Sequence, residues 1–129
     1  MNERMNKNEL LELIKSVKID NNEFTILSSS SLVLRDILDS AGDLDIAVTE
    51  RGLDELNQNY NLIQKRNGWY IVTDRVECTL DDMSGKREKI GDYYVQDIHS
   101  YLKYLESSER EKDKLRIPKV KEYIQKTTM

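Results

Sequence analysis

The sequence predicts a mixed α/β domain: a small mixed sheet flanked by helices, with a helical C-terminus. Three observations point there. Short apolar runs of strand length occur at 24–27, 43–48 and 75–80; an Asn67-Gly68 pair separates two further such runs; and apolar residues recur at helical spacing before, between and after them. With 129 residues, 38% hydrophobic and 34% charged, there is material for one core. A single domain over 1–129 is expected, with its core at about 24–82 and a helical part at about 93–129.

The elements follow in order. Asn8 is the expected N-cap of a first helix whose apolar face is Leu10, Leu11, Leu13, Ile14 and Val17. Asn21-Asn22 breaks it, and a short strand runs over 24–27. Ser28-Ser29-Ser30-Ser31 then opens a helix, because Leu34, Ile37, Leu38 and Ala41 recur at i, i+3, i+4 and i+7; Gly42 is the expected stop. Asp43-Leu44-Asp45-Ile46-Ala47-Val48 alternates at its start and reads as a strand with one face in the core. Thr49 caps a short helix through Leu53 and Leu56. Runs at 62–65 and 69–73 flank Asn67-Gly68, a strong short hairpin signal. Over 75–80, Val76, Cys78 and Leu80 fall on one face and Glu77 and Thr79 on the other. The polar stretch 83–92, with Gly85 and Gly91, is expected to be a loop. Val95, Ile98, Leu102 and Leu105 form one helical stripe. A further helix is expected over 109–115, and Pro118 suits the first turn of a last one. The sheet is expected to be covered mainly on one side.

Composition excludes several function classes. One cysteine, Cys78, rules out an intrachain disulfide framework and a cysteine-based zinc site, and the single His99 argues against a histidine-rich one. No apolar run is long enough to span a membrane. The polar start Met1-Asn2-Glu3-Arg4 leads into no apolar segment, so no signal peptide is expected, and a reduced, cytoplasmic setting is the expectation. The net charge of −4 divides unevenly: residues 103–129 hold eight Lys/Arg against five Asp/Glu, and the rest is acidic. An acidic body argues against a general nucleic-acid binder, and a basic tail suggests phosphate contacts near the C-terminus.

The chemistry-bearing pattern pairs the serine turn with Asp43-Leu44-Asp45. Residues i and i+2 of a strand share a face, so the two carboxylates project together. Such a pair repels unless a cation lies between them, and hard oxygen ligands suit Mg²⁺. The turn Ser28, Ser29, Ser30 ends a strand and opens a helix, which presents backbone N–H groups to a phosphate. Glu77, on the polar face of a later strand, is positioned to complete a three-carboxylate cluster. His99, Trp69 and the tyrosines are read as packing or surface residues, and Cys78 as core.

On these residues the chain resembles the nucleotidyltransferase superfamily of the polymerase-β type, in particular small bacterial and phage members related to AbiEii-type toxins of toxin–antitoxin systems. Ile26-Leu27-Ser28-Ser29-Ser30-Ser31-Leu32-Val33-Leu34-Arg35 matches the family's strand, turn and helix. Asp43-Leu44-Asp45-Ile46 matches its acidic strand, and Arg110-Glu111-Lys112-Asp113, after Leu102-Lys103-Tyr104-Leu105, matches an Arg-x-Lys-Asp stretch. Ser28, Asp36 and Glu109 stand where the family has glycine.

The resemblance implies a nucleotidyltransferase-like fold and a Mg²⁺-dependent transfer of a nucleotide from an NTP to an acceptor hydroxyl on RNA, protein or a small molecule. Asp43, Asp45 and Glu77 would be catalytic and hold two metal ions. Ser28, Ser29 and Ser30, with Lys103, Arg110 and Lys112, would hold the nucleotide. The alternative is a catalytically weak or inactive module of the same fold that binds a nucleotide or a partner protein.

Overall fold

The computed structural model of the chain describes residues 4–81 and 85–127, so the expected boundaries at 1, 82 and 129 and the start of the expected loop at 83 lie outside the described residues. The elements are α1 (Lys7–Ser16), β1 (Phe24–Ile26), α2 (Ser28–Leu34), β2 (Leu44–Val48), α3 (Glu50–Asn59), β3 (Ile63–Gln64), β4 (Tyr70–Thr73), β5 (Val76–Leu80), β6 (Arg87–Ile90), β7 (Tyr93–Gln96), α4 (Ile98–Ser107) and α5 (Glu111–Thr127). All seven strands form one mixed sheet in the order β3-β4-β5-β2-β1-β7-β6. The mixed α/β class and the helical C-terminus are as the sequence predicts. No helix among the described residues is long and apolar enough to cross a membrane.

The centre of the sheet positions everything else. β1 pairs antiparallel with β2, Phe24 facing Val48 and Ile26 facing Ile46. β2 pairs parallel with β5, Leu44 facing Val76, Asp45 facing Glu77 and Ile46 facing Cys78. In β1 every residue is buried, as are Ile46, Ala47 and Val48. Alternate residues point to opposite faces, so the middle of the sheet is covered on both sides rather than mainly on one. Farther out, β5 alternates: Val76 and Cys78 are buried, Glu77 and Thr79 half-exposed. Leu80, expected inward, is exposed at the strand's end. One core cluster joins α1 to the sheet through Leu10, Ile14, Phe24, Ile46 and Val76. A second, smaller one joins Leu32 of α2 to Ile98, Tyr101, Leu105 and Val120 of α4 and α5.

Further expectations are corrected. The N-cap of α1 is Asn6, whose side chain accepts from Glu9 N while the Glu9 carboxylate accepts from Asn6 N, a reciprocal capping box that Asn8 cannot make. α2 ends at Leu34 with Arg35 as C-cap, and Asp36 turns the chain at φ 63°; Gly42 stops nothing, and Ala41 instead bridges to Met5. The stretch read as a loop contains strand β6, which turns on Gly91 at φ 61° and forms a hairpin with β7, pairing Ile90 with Tyr93. Val95 therefore belongs to β7, which pairs parallel with β1, and not to a helical stripe. Finally, α5 is one helix with Pro118 inside it. Proline removes a helical donor, but Pro118 and Lys114 are both exposed, so water can serve the Lys114 carbonyl.

Candidate functional site

Two neighbouring strands and one tight turn build the acidic wall of the site. Leu44 and Ile46 are wholly buried, which turns Asp45 of β2, and Asp43 just before the strand, to the other side. The turn between β1 and α2 is bonded directly to that strand. Leu27 N donates to Asp45 O at 2.9 Å, and the Ser30 hydroxyl donates to Asp43 O at 2.7 Å. Ser28 N donates to the Gln96 side chain at 3.1 Å, and Ser31 Oγ to Ser28 O at 2.7 Å. Ser28 itself sits at φ 54°, in the left-handed region that favours glycine. Both residues that stand where the resembled family has glycine on this segment, Ser28 and Asp36, adopt a left-handed backbone at a cost of about 1 kcal/mol each.

Glu77 enters through strand register, lying beside Asp45 across the β2–β5 pairing. Its carboxylate accepts from Lys65 Nζ at 2.9 Å, the lysine reaching over from the Asn67-Gly68 hairpin. Partial burial, then the Glu77 and Asp43 carboxylates, push the Asp45 acid up from 3.8 to about 6, while the Lys65 ammonium pulls the other way. The Cys78 thiol, buried beside Glu77, is pushed up to about 11 and stays protonated core.

A cavity of about 220 Å³ opens in front of this wall, lined by Ser28, Ser29, Asp43 and Asp45 on one side. Arg110, Lys112, Asp113 and Arg116 of the α5 region line the other, with Tyr101 and Tyr104 of α4. Asp113 is only 2% exposed. It accepts from Ser108 Oγ at 2.7 Å and has Arg110 Nε at 3.6 Å and Arg116 Nη1 at 3.9 Å. This one carboxylate therefore holds both arginines at the cavity. Arg116 also donates to the Tyr101 hydroxyl at 3.0 Å.

Of the residues singled out from sequence, Ser28, Ser29, Asp43, Asp45, Arg110 and Lys112 meet at this cavity, with Glu77 beside Asp45. Ser30 does not line it; buried and bonded to Asp43 O, it positions the turn. Lys103 is exposed on α4 and does not line it either. Sequence reading missed Tyr101, Tyr104, Asp113, Arg116 and Lys65 as site residues. For Asp113 and Arg116 a signal existed, since Arg110, Asp113 and Arg116 are spaced i, i+3, i+6 on one helical face.

The donor set fits a hard divalent cation in its chemistry. Three carboxylates lie close enough for Glu77 and Asp43 to raise the Asp45 acid, which is the repulsion a cation would relieve. As the side chains stand, with Lys65 on Glu77, no group of three or more His, Cys, Asp or Glu able to hold a metal ion occurs among the described residues. No family model, curated protein or solved structure matches the chain.

Proposed function

We propose that this chain is a Mg²⁺-dependent nucleotidyltransferase of the polymerase-β type that transfers a nucleotide from an NTP to an acceptor hydroxyl. One observation carries the reading: the carboxylates at the start of β2 and the turn bonded to their main chain share a single cavity with cationic side chains at and just before the start of α5. Asp43, Asp45 and Glu77 would hold Mg²⁺, which when bound screens the triphosphate and lowers the acidity threshold of the acceptor hydroxyl. Ser29 lies where it can bond a phosphate oxygen. Arg110 and Lys112 offset phosphate charge from the opposite wall, as cationic clamps do in phosphoryl transfer. In the reaction the acceptor oxygen bonds the α-phosphorus, the bond from that phosphorus to the pyrophosphate oxygen breaks, and the acceptor's proton passes to a site carboxylate. Asp43, the exposed member of the cluster and one that lines the cavity, is able to take it.

The Lys65–Glu77 ion pair favours a second reading, in which the third acid is already neutralised and the chain binds nucleotide or a partner without catalysing transfer. One experiment separates the two. Each NTP, labelled at the α-phosphate, is incubated with Mg²⁺, the protein and RNA, protein or small-molecule acceptors, using wild type and Asp45→Asn. Transfer that falls by roughly 10²–10³ in the variant, with an unchanged circular dichroism spectrum, is the expected outcome. Mg²⁺-dependent NTP binding without transfer selects the second reading, and equal transfer by both proteins defeats the first.

A further inference from the structure

We propose that the stacked Tyr101–Tyr104 pair is a nucleobase-binding shelf at the mouth of the cavity, an inference that rests on the nucleotide reading above. The two rings are nearly parallel, 13° apart, with centroids separated by 6.0 Å. Tyr101 is the fixed member: its ring is 2% exposed and belongs to the α4–α5 core cluster, and its hydroxyl accepts from Arg116. Tyr104 is the open member. It is 48% exposed, lies outside both core clusters, and still lines the cavity that holds Asp43 and Asp45. Packing between helices accounts for Tyr101 and leaves the outer face of Tyr104 unused.

Size and charge say what that face would meet. At about 220 Å³ the cavity is smaller than the roughly 300 Å³ needed to enclose a whole small ligand. The phosphates can lie within, between the carboxylates and the α5 cations, while the rest of a nucleotide must lie at the rim. The exposed Lys112 ammonium, which lines the same cavity, has no hydrogen-bond or ion-pair partner among the described residues. An anionic ligand that carries a flat π-system fits this pairing of a free cation with an open aromatic face. Every nucleobase has such a face, and stacking on tyrosine tolerates any base. The shared chemistry is a nucleobase, whether from the donor NTP or from an RNA acceptor.

The test is calorimetric titration of wild type, Tyr104→Ala and Tyr104→Phe, in Mg²⁺, with ATP, inorganic tripolyphosphate and a short single-stranded oligoribonucleotide. Wild type is expected to bind ATP more tightly than tripolyphosphate. Tyr104→Ala should lose about tenfold in ATP affinity with tripolyphosphate binding unchanged, and Tyr104→Phe should retain it. If the loss appears with the oligoribonucleotide and not with ATP, the shelf holds the acceptor's base. Unchanged binding of ATP and oligoribonucleotide by Tyr104→Ala overturns the shelf, as does an equal loss of tripolyphosphate, which would mark a structural role. If wild type binds ATP and tripolyphosphate equally and the oligoribonucleotide not at all, the shelf falls while the phosphate site stands. Failure of wild type to bind any of the three overturns the nucleotide reading and the shelf with it.

Discussion

On one side of the cavity Asp45 belongs to β2 and Asp43 directly precedes it; that strand is bonded antiparallel to β1 and parallel to β5 in the middle of the sheet. On the other side Lys112 and Arg116 belong to the start of α5 and Arg110 directly precedes it; that helix packs chiefly against α4 over a small cluster. The first wall is held by main-chain bonds on both edges, so its carboxylates are placed by the pleat. The second is held by side chains, above all by the buried Asp113 carboxylate. The difference teaches that the acids are costly in themselves but cheap to remove, whereas the cations depend on a residue that cannot be spared.

The largest expected effect breaks the second wall. Asp113→Ala leaves Ser108 and two arginines without their shared acceptor, which should cost about 3 kcal/mol and lower Tm by roughly 10 °C. Asp113→Asn keeps an acceptor for Ser108 and should cost clearly less. Thermal melts of wild type and the two variants check this, and an Asp113→Ala Tm equal to that of wild type would show that the carboxylate does not hold α5.

A smaller effect, of opposite sign, belongs to the first wall. The Asp45 acid is raised in the folded state, so the native protein holds its proton more tightly than the unfolded chain between pH 3.8 and about 6. Stability from this residue is therefore fullest below pH 4 and falls as pH rises toward 6. Asp45→Asn removes that loss. Discounted for its partial exposure to solvent, the gain at pH 7.5 is about 1 kcal/mol and vanishes at pH 4. Urea unfolding across that range measures it, and parallel pH profiles for variant and wild type would contradict the sign.

The smallest effect sharpens the comparison within the turn. Ser28→Gly relieves a left-handed serine but loosens the unfolded chain, so a net gain of about 0.5 kcal/mol is expected. A loss of stability in denaturant melts would mean that the Ser28 side chain contributes more than its backbone costs.

Legibility followed the distance over which each feature is decided. Within 24–48 both strands and the serine turn were read from sequence, because a strand, a serine turn and an alternating Asp-x-Asp strand are local patterns; the end of α2 at Leu34 was not. The Asn67-Gly68 hairpin and the Thr49 cap, whose hydroxyl accepts from Gly52 N, were legible for the same reason. The β6–β7 hairpin was not. β6 is an edge strand whose Arg87 and Lys89 lie over the Tyr94 ring, and charged edge strands lack the apolar alternation that marks a strand. Gly91-Asp92 between Ile90 and Tyr93 was the available signal. Pro118 misled because propensity penalises proline within a helix, while tertiary packing through Val120 overrides it.

By itself the sequence determined that Asp43 and Asp45 share a face, since a strand's period of two needs no partner. It also determined that a turn of small residues precedes them. Only the tertiary structure decided that Glu77 lies beside Asp45, because the register of two strands joined through α3 and a hairpin is set by long-range pairing. It alone brought Tyr104, Arg110 and Lys112 across from the acids, and held Ser28 and Asp36 in a conformation their side chains disfavour. Local periodicity says where a side chain points; what it meets is decided by the rest of the chain.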